Sequence, residues 1–130
     1  KVKLEFHPPI VPISVDADGG QIVQVLVNLA LNALDAMPAG GTLSVELKVP
    51  APDAVEVDLL DTGPGIAPEM LPRLFEPFAT TKPGGSGLRL AMVHRAIDAH
   101  RGLILVDSLA TGTCFTVLLP LEPPGLGATP

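Results

Sequence analysis

Gln21-Ile22-Val23-Gln24-Val25-Leu26-Val27-Asn28-Leu29-Ala30-Leu31-Asn32-Ala33-Leu34-Asp35 is the stretch on which the fold reading turns. Its length and its lack of proline and glycine predict a helix. Projected at 100° per residue, Gln21, Gln24, Asn28, Asn32 and Asp35 fall within an arc of roughly 80°. Almost everything else on the helix is apolar, so most of its surface is suited to burial. An ordinary solvent stripe uses Lys, Glu and Arg; this one is nearly all carboxamide. Amides suit a semi-enclosed site, because they hydrogen-bond and coordinate without the desolvation cost of a charge. The bland alternative is a narrow solvent face on a mostly buried helix. Asn28 and Asn32 stand one turn apart, with Ala33 and Ala36 small enough for a close approach. A side-chain amide oxygen is also a suitable hard ligand for Mg²⁺, which shares phosphate oxygens and keeps waters.

Working outward, Asp18 is the expected N-cap, with Gln21 three residues on as in a capping box. Pro38 and Gly40-Gly41 end the helix near Met37. Strands are expected at 2–6, 42–49 and 55–60, the last two as a hairpin. A short helical stretch to about Leu74 and a second helix from about Gly87 to His100, closed by Gly102, follow. A further hairpin joins 103–108 to 113–119 around Ala110-Thr111-Gly112. Residues 1–120 read as one domain, and 121–130, rich in Pro and Gly, as a flexible tail. The pattern is α+β: a two-layer sandwich with helices on one face of a mixed sheet.

Composition narrows the function. The 130 residues carry a net charge of -6, with 47% hydrophobic and 17% charged residues, which is globular composition. Net acidity argues against sequence-independent nucleic-acid binding, which needs clustered Lys and Arg. A single cysteine, Cys114, excludes an internal disulfide framework and fits a reducing, cytoplasmic compartment. No apolar run is long enough to span a bilayer, so no direct membrane contact is expected. The first residue is Lys1 and strand pattern begins at once, so a fragment of a longer parent is expected, one free to be membrane-anchored.

Two more motifs carry chemistry. In Val55-Glu56-Val57-Asp58-Leu59 the apolar residues alternate, and Asp61 continues their parity onto the buried face. A carboxylate there needs a donor. An exocyclic adenine amine is one candidate; the turn amides of Thr62-Gly63-Pro64-Gly65 are the other. Pro83-Gly84-Gly85-Ser86-Gly87-Leu88 then runs into a helix, an arrangement able to hold an anion on free amides. Lys82 stands beside it.

The succession of amide helix, Asp-x-Gly-x-Gly, Phe75-Glu76-Pro77-Phe78 and glycine loop resembles the catalytic domain of sensor histidine kinases. That family shares the Bergerat ATP-binding fold with DNA gyrase, heat-shock chaperone and mismatch-repair ATPases. The resemblance implies about five strands, mostly antiparallel, under about three helices, and ATP with Mg²⁺ as ligands. It places Asn28 and Asn32 in the asparagine box beside Asp35, with Asn32 as Mg²⁺ ligand. Asp61, Gly63, Gly65 and Ile66 belong to the first glycine box, where the acid recognises adenine. Phe78, Thr81 and Lys82 fall in the phenylalanine box and lid, and Gly85, Ser86, Gly87 and Leu88 in the second glycine box. Thr113 belongs to the closing strand motif. Arg89 departs from the family, which usually has glycine there; it either crowds the lid or adds positive charge near phosphate. Arg101 also replaces a common glycine before Gly102, with little effect expected.

The reaction implied is transfer of the γ-phosphoryl group of ATP to a histidine on a separate dimerisation domain. A response regulator receiver domain is the implied onward partner. Hydrolytic relatives have glutamate at the Asn28 position, and asparagine has no useful basicity. His7, His94 and His100 lack an acceptor motif, and His100, near a helix end, reads as a dipole partner. Two alternatives stand: a degenerate nucleotide-sensing or docking module, because of Arg89, and an anti-sigma-type serine kinase. The latter normally has a carboxylate at the Asn28 position and lacks the Phe75–Phe78 motif.

Overall fold

The computed structural model describes residues 2–7, 17–76 and 88–120. Their order is β1 (Val2–His7), α1 (Gly19–Asp35), β2 (Gly41–Ala51), β3 (Ala54–Asp61), a 3-10 turn (Leu71–Arg73), α2 (Arg89–Ala99), β4 (Leu103–Leu109) and β5 (Gly112–Pro120). One five-stranded sheet has the order β1-β2-β3-β5-β4. β1 runs parallel to β2, and every other pairing is antiparallel. The α+β expectation holds, with two α-helices among the described residues against the three expected. The stretch before Leu74 is only a 3-10 turn, with Pro72 inside it.

Alternation along the strands makes the two layers. Val55, Val57 and Leu59 of β3 and Phe115, Val117 and Leu119 of β5 turn to one face and form a core with Val25, Leu29 and Ala33 of α1 and Leu90, Val93 and Ile97 of α2. The opposite face is mixed, with exposed Leu60, Leu103 and Leu105 beside a polar cluster. There Lys48 meets Asp58 at 3.0 Å, and Thr116 donates to the same carboxylate at 3.0 Å. The hydrogen bond to Asp58 raises the Lys48 ammonium above its ordinary range. β2 is irregular between Lys48 and Ala51, where Pro50 has no N–H to give to the ladder.

Helix ends explain how the two helices are fixed. Asp18 caps α1, its Oδ1 accepting from the Gln21 N–H at 3.0 Å. The Asp18 N–H, which a capping-box glutamine would accept, goes instead to His100 Nε2 at 3.0 Å. Nε2 accepts in that bond, and Nδ1 lies 2.7 Å from the Ala96 carbonyl oxygen. His100 is thus a strap from the end of α2 to the start of α1.

Gly102 does not close α2 by its own backbone freedom either. The left-handed position is Arg101, at φ 59. The Arg101 N–H reaches Asp98 at 3.0 Å and the Gly102 N–H reaches Ile97 at 2.9 Å, a Schellman closure. Gly102 is needed for space, because a Cβ there would lie 2.4 Å from the Leu118 carbonyl oxygen. Placing a side chain at left-handed φ costs roughly 1 kcal/mol relative to glycine. Arg101→Gly is expected to stabilise the fold by about 1 kcal/mol, read as a raised midpoint in denaturant unfolding.

Candidate functional site

Asp61 is the last residue of β3, and burial is its unusual property: it is 3% exposed, on the face that carries the core. Its partner across the ladder is Thr113, itself 4% exposed. A carboxylate and a hydroxyl thus sit side by side where an apolar pair would be expected. The Asp61 Oδ1 accepts from the Gly63 N–H at 2.9 Å, so the turn-amide alternative is realised for one oxygen. That leaves the acid fixed in orientation.

The glycines after Asp61 let other walls come close. A Cβ on Gly63 would lie 2.8 Å from the Ala36 carbonyl oxygen and 3.1 Å from Asp61 Oδ1. The acid and the end of α1 are therefore separated by little more than one absent methyl. Gly65 adopts φ +84, and a Cβ on it would meet the Leu109 carbonyl oxygen at 2.8 Å. Ser108 then clamps the loop. Its hydroxyl accepts from the Ile66 N–H at 2.8 Å and donates to the Ile66 carbonyl at 3.2 Å. Thr62 ties the same loop to β2, accepting from the Thr42 N–H at 3.0 Å. Neither Ser108 nor Thr62 stood out in the sequence, since an isolated hydroxyl carries no pattern until its partner strand is known.

The amide stripe of α1 turns toward α2. At one end Gln21, Gln24 and Asn28 line a groove of about 350 Å³ with Met92, Arg95 and Ala96 of α2. Asn28 is buried, and its Oδ1 accepts from Gln24 Nε2 at 2.9 Å. At the other end Asp35 is paired with Arg89, the first residue of α2. Asn32 lies between, half-buried and one turn from each. The stripe therefore runs along the α2-facing side of α1 from exposed Gln21 and Gln24 through buried Asn28 and half-buried Asn32 to exposed Asp35.

Phe75 packs against the core and stacks on His94 of α2, with ring centroids 5.5 Å apart. Of the other expected positions, Leu88 is exposed immediately before α2. Phe78, Thr81, Lys82, Gly85, Ser86 and Gly87 lie outside the described residues, as does the expected tail at 121–130. Among the described residues no group of three or more His, Cys, Asp or Glu side chains converges to hold a metal. Asn32 alone fits Mg²⁺ that arrives with phosphate oxygens and water rather than a resident ion in a protein cage.

Residues 17–123 match the family model for histidine kinase-, DNA gyrase B- and HSP90-like ATPases. The chain belongs to that family. It is 44% identical over 122 residues to the sensor histidine kinase ZraS of Salmonella typhimurium, covering 93% of this chain and 26% of ZraS. It therefore spans about a quarter of the length of that relative. The catalytic domain of the histidine kinase ThkA superposes with a TM-score of 0.84 at 31% identity, covering 92% of this chain and 79% of that one. Full-length ShkA in complex with AMPPNP gives 0.81 at 31% identity, covering 92% and 26%. The chain therefore shares its fold with these histidine kinase structures, its own sheet being five-stranded and mixed and its class α+β.

Ser108→Ala removes the clamp on Ile66 and is expected to cost about 1 kcal/mol. Hydrogen exchange at the Ile66 amide should speed up at the same time; unchanged protection there would count against the clamp.

Proposed function

We propose that this chain is the ATP-binding catalytic domain of a sensor histidine kinase. On this reading it binds ATP with Mg²⁺ and presents the γ-phosphoryl group to a histidine on a separate helical dimerisation domain, part of the parent but absent here. A response regulator receiver domain receives the phosphoryl group afterwards, and the domain works on the cytoplasmic side. No helix among the described residues is long and apolar enough to cross a membrane. The observation that carries the reading is the buried Asp61–Thr113 pair facing the end of α1 across Gly63.

Asp61 has the chemistry to accept from the adenine amine, oriented by the Gly63 N–H, and Thr113 adds a neutral donor or acceptor beside it. Gly63 and Gly65 keep side chains out of the plane of a flat ring. Asn32 supplies the amide oxygen for Mg²⁺, which neutralises phosphate charge when bound. Phosphoryl transfer needs positioning and charge neutralisation more than a protein nucleophile. Asn28 fits that division of labour: it is buried, bonded to Gln24, and too weakly basic to activate water. Phe78, Thr81, Lys82, Gly85, Ser86 and Gly87 complete the site in this reading, with Leu88 at the start of α2.

Three outcomes are expected. Asp61→Asn should lower ATP affinity by about a hundredfold, by calorimetry, with the unfolding midpoint little changed; retained affinity removes the adenine role. Asn32→Ala should abolish the Mg²⁺ dependence of ATP affinity. Adding the missing histidine domain should produce acid-labile phosphate on it, while the chain alone shows negligible steady ATP turnover; rapid turnover would favour a hydrolase.

A further inference from the structure

Arg89 stands where the resemblance leads one to expect glycine, and its side chain is not loose. It crosses from the first turn of α2 to Asp35 of α1, with Nη1 donating to Oδ2. Asp35 is the only carboxylate of the stripe and lies one turn beyond Asn32. We infer that Arg89 is a phosphate ligand for the nucleotide, held at the α1 wall by Asp35 until the nucleotide arrives. This inference rests on the ATP-binding reading above.

The physical case is a comparison of partners. The two side chains are 42% and 49% exposed, so their pairing is screened by water and easily exchanged. The pair is not needed to hold the helices together, because His100 straps their other ends and Leu29, Val93 and Ile97 pack between them. Asp35 without a cation would repel a triphosphate entering beside Asn32; Arg89 cancels that charge beforehand. A triphosphate carries more charge than one carboxylate and matches the planar guanidinium fork. Arg89 then leaves Asp35 for the phosphates. The alternative role, crowding of the nucleotide, predicts the opposite sign on removal.

The test compares ATP and adenosine, both with Mg²⁺, on the wild-type chain, Arg89→Gln and Asp35→Asn. ATP is followed by calorimetry, and adenosine by amide chemical shifts, which read millimolar binding. Arg89→Gln is expected to weaken ATP by about tenfold while adenosine stays within about twofold. Asp35→Asn is expected to leave ATP affinity equal or tighter, because a competitor for Arg89 and a negative charge are both gone. Unchanged or tighter ATP binding by Arg89→Gln overturns the inference, the second being the mark of crowding. Equal losses for ATP and adenosine also overturn it, since they mark a merely structural effect. A fall in ATP affinity on Asp35→Asn overturns the competitor role of Asp35. A wild-type chain that binds neither ligand sinks the ATP-binding reading itself, a result distinct from all of these.

Discussion

A carboxylate buried at the end of a strand is the constraint from which the rest of the arrangement follows. Asp61 shares the face and parity of Val55, Val57 and Leu59, yet it is as buried as they are. Leaving a charge in that position without polar neighbours costs several kcal/mol. The surroundings are built to receive it: Thr113 beside it on β5, the Gly63 N–H in front, and no side chain on Gly63 to separate it from α1. Gly112 fits the same logic, because a Cβ there would lie 1.9 Å from the Asp61 carbonyl oxygen. Packing alone would favour a leucine at this position. An acid with glycines around it is the feature on which the proposed site rests.

The second element of the arrangement is the packing of α1 against α2. Both helices share the apolar core, and polar ties mark the two ends of their interface. His100 joins the end of α2 to the cap of α1, and Arg89 joins the start of α2 to Asp35. Between the ties run the carboxamides, with Asn32 in the middle. This arrangement encloses Asn28 and half-encloses Asn32, the setting for which amides are suited. The remainder of α1 explains its sequence: Val25, Leu29 and Ala33 face the sheet, while Val23, Val27 and Leu34 remain exposed on the far side.

Period-2 alternation in β3 was strong enough to assign both its extent and the side on which Asp61 emerges. Asp18 and the uninterrupted pattern after it located α1 to within a residue or two. Local pattern could not foresee pairings that depend on distant partners. The parallel alignment of β1 with β2 is one case. The roles of Ser108, Thr62 and His100 are others, each set by a residue at least twenty positions away. Arg101 misled for a different reason: the adjacent glycine looked like the left-handed residue, but Gly102 is reserved for close contact with β5. The lid motif was read by resemblance alone, and its residues from 77 to 87 lie outside those the structure describes.

The central claim is that Asp61 reads a purine amine. It is tested most directly by titrating the chain with ATP and with the triphosphate of purine riboside, which lacks that amine but keeps ring, ribose and phosphates. Loss of one hydrogen bond to a buried charged acceptor is expected to weaken binding by about a hundredfold. Equal affinities for the two nucleotides would contradict the account.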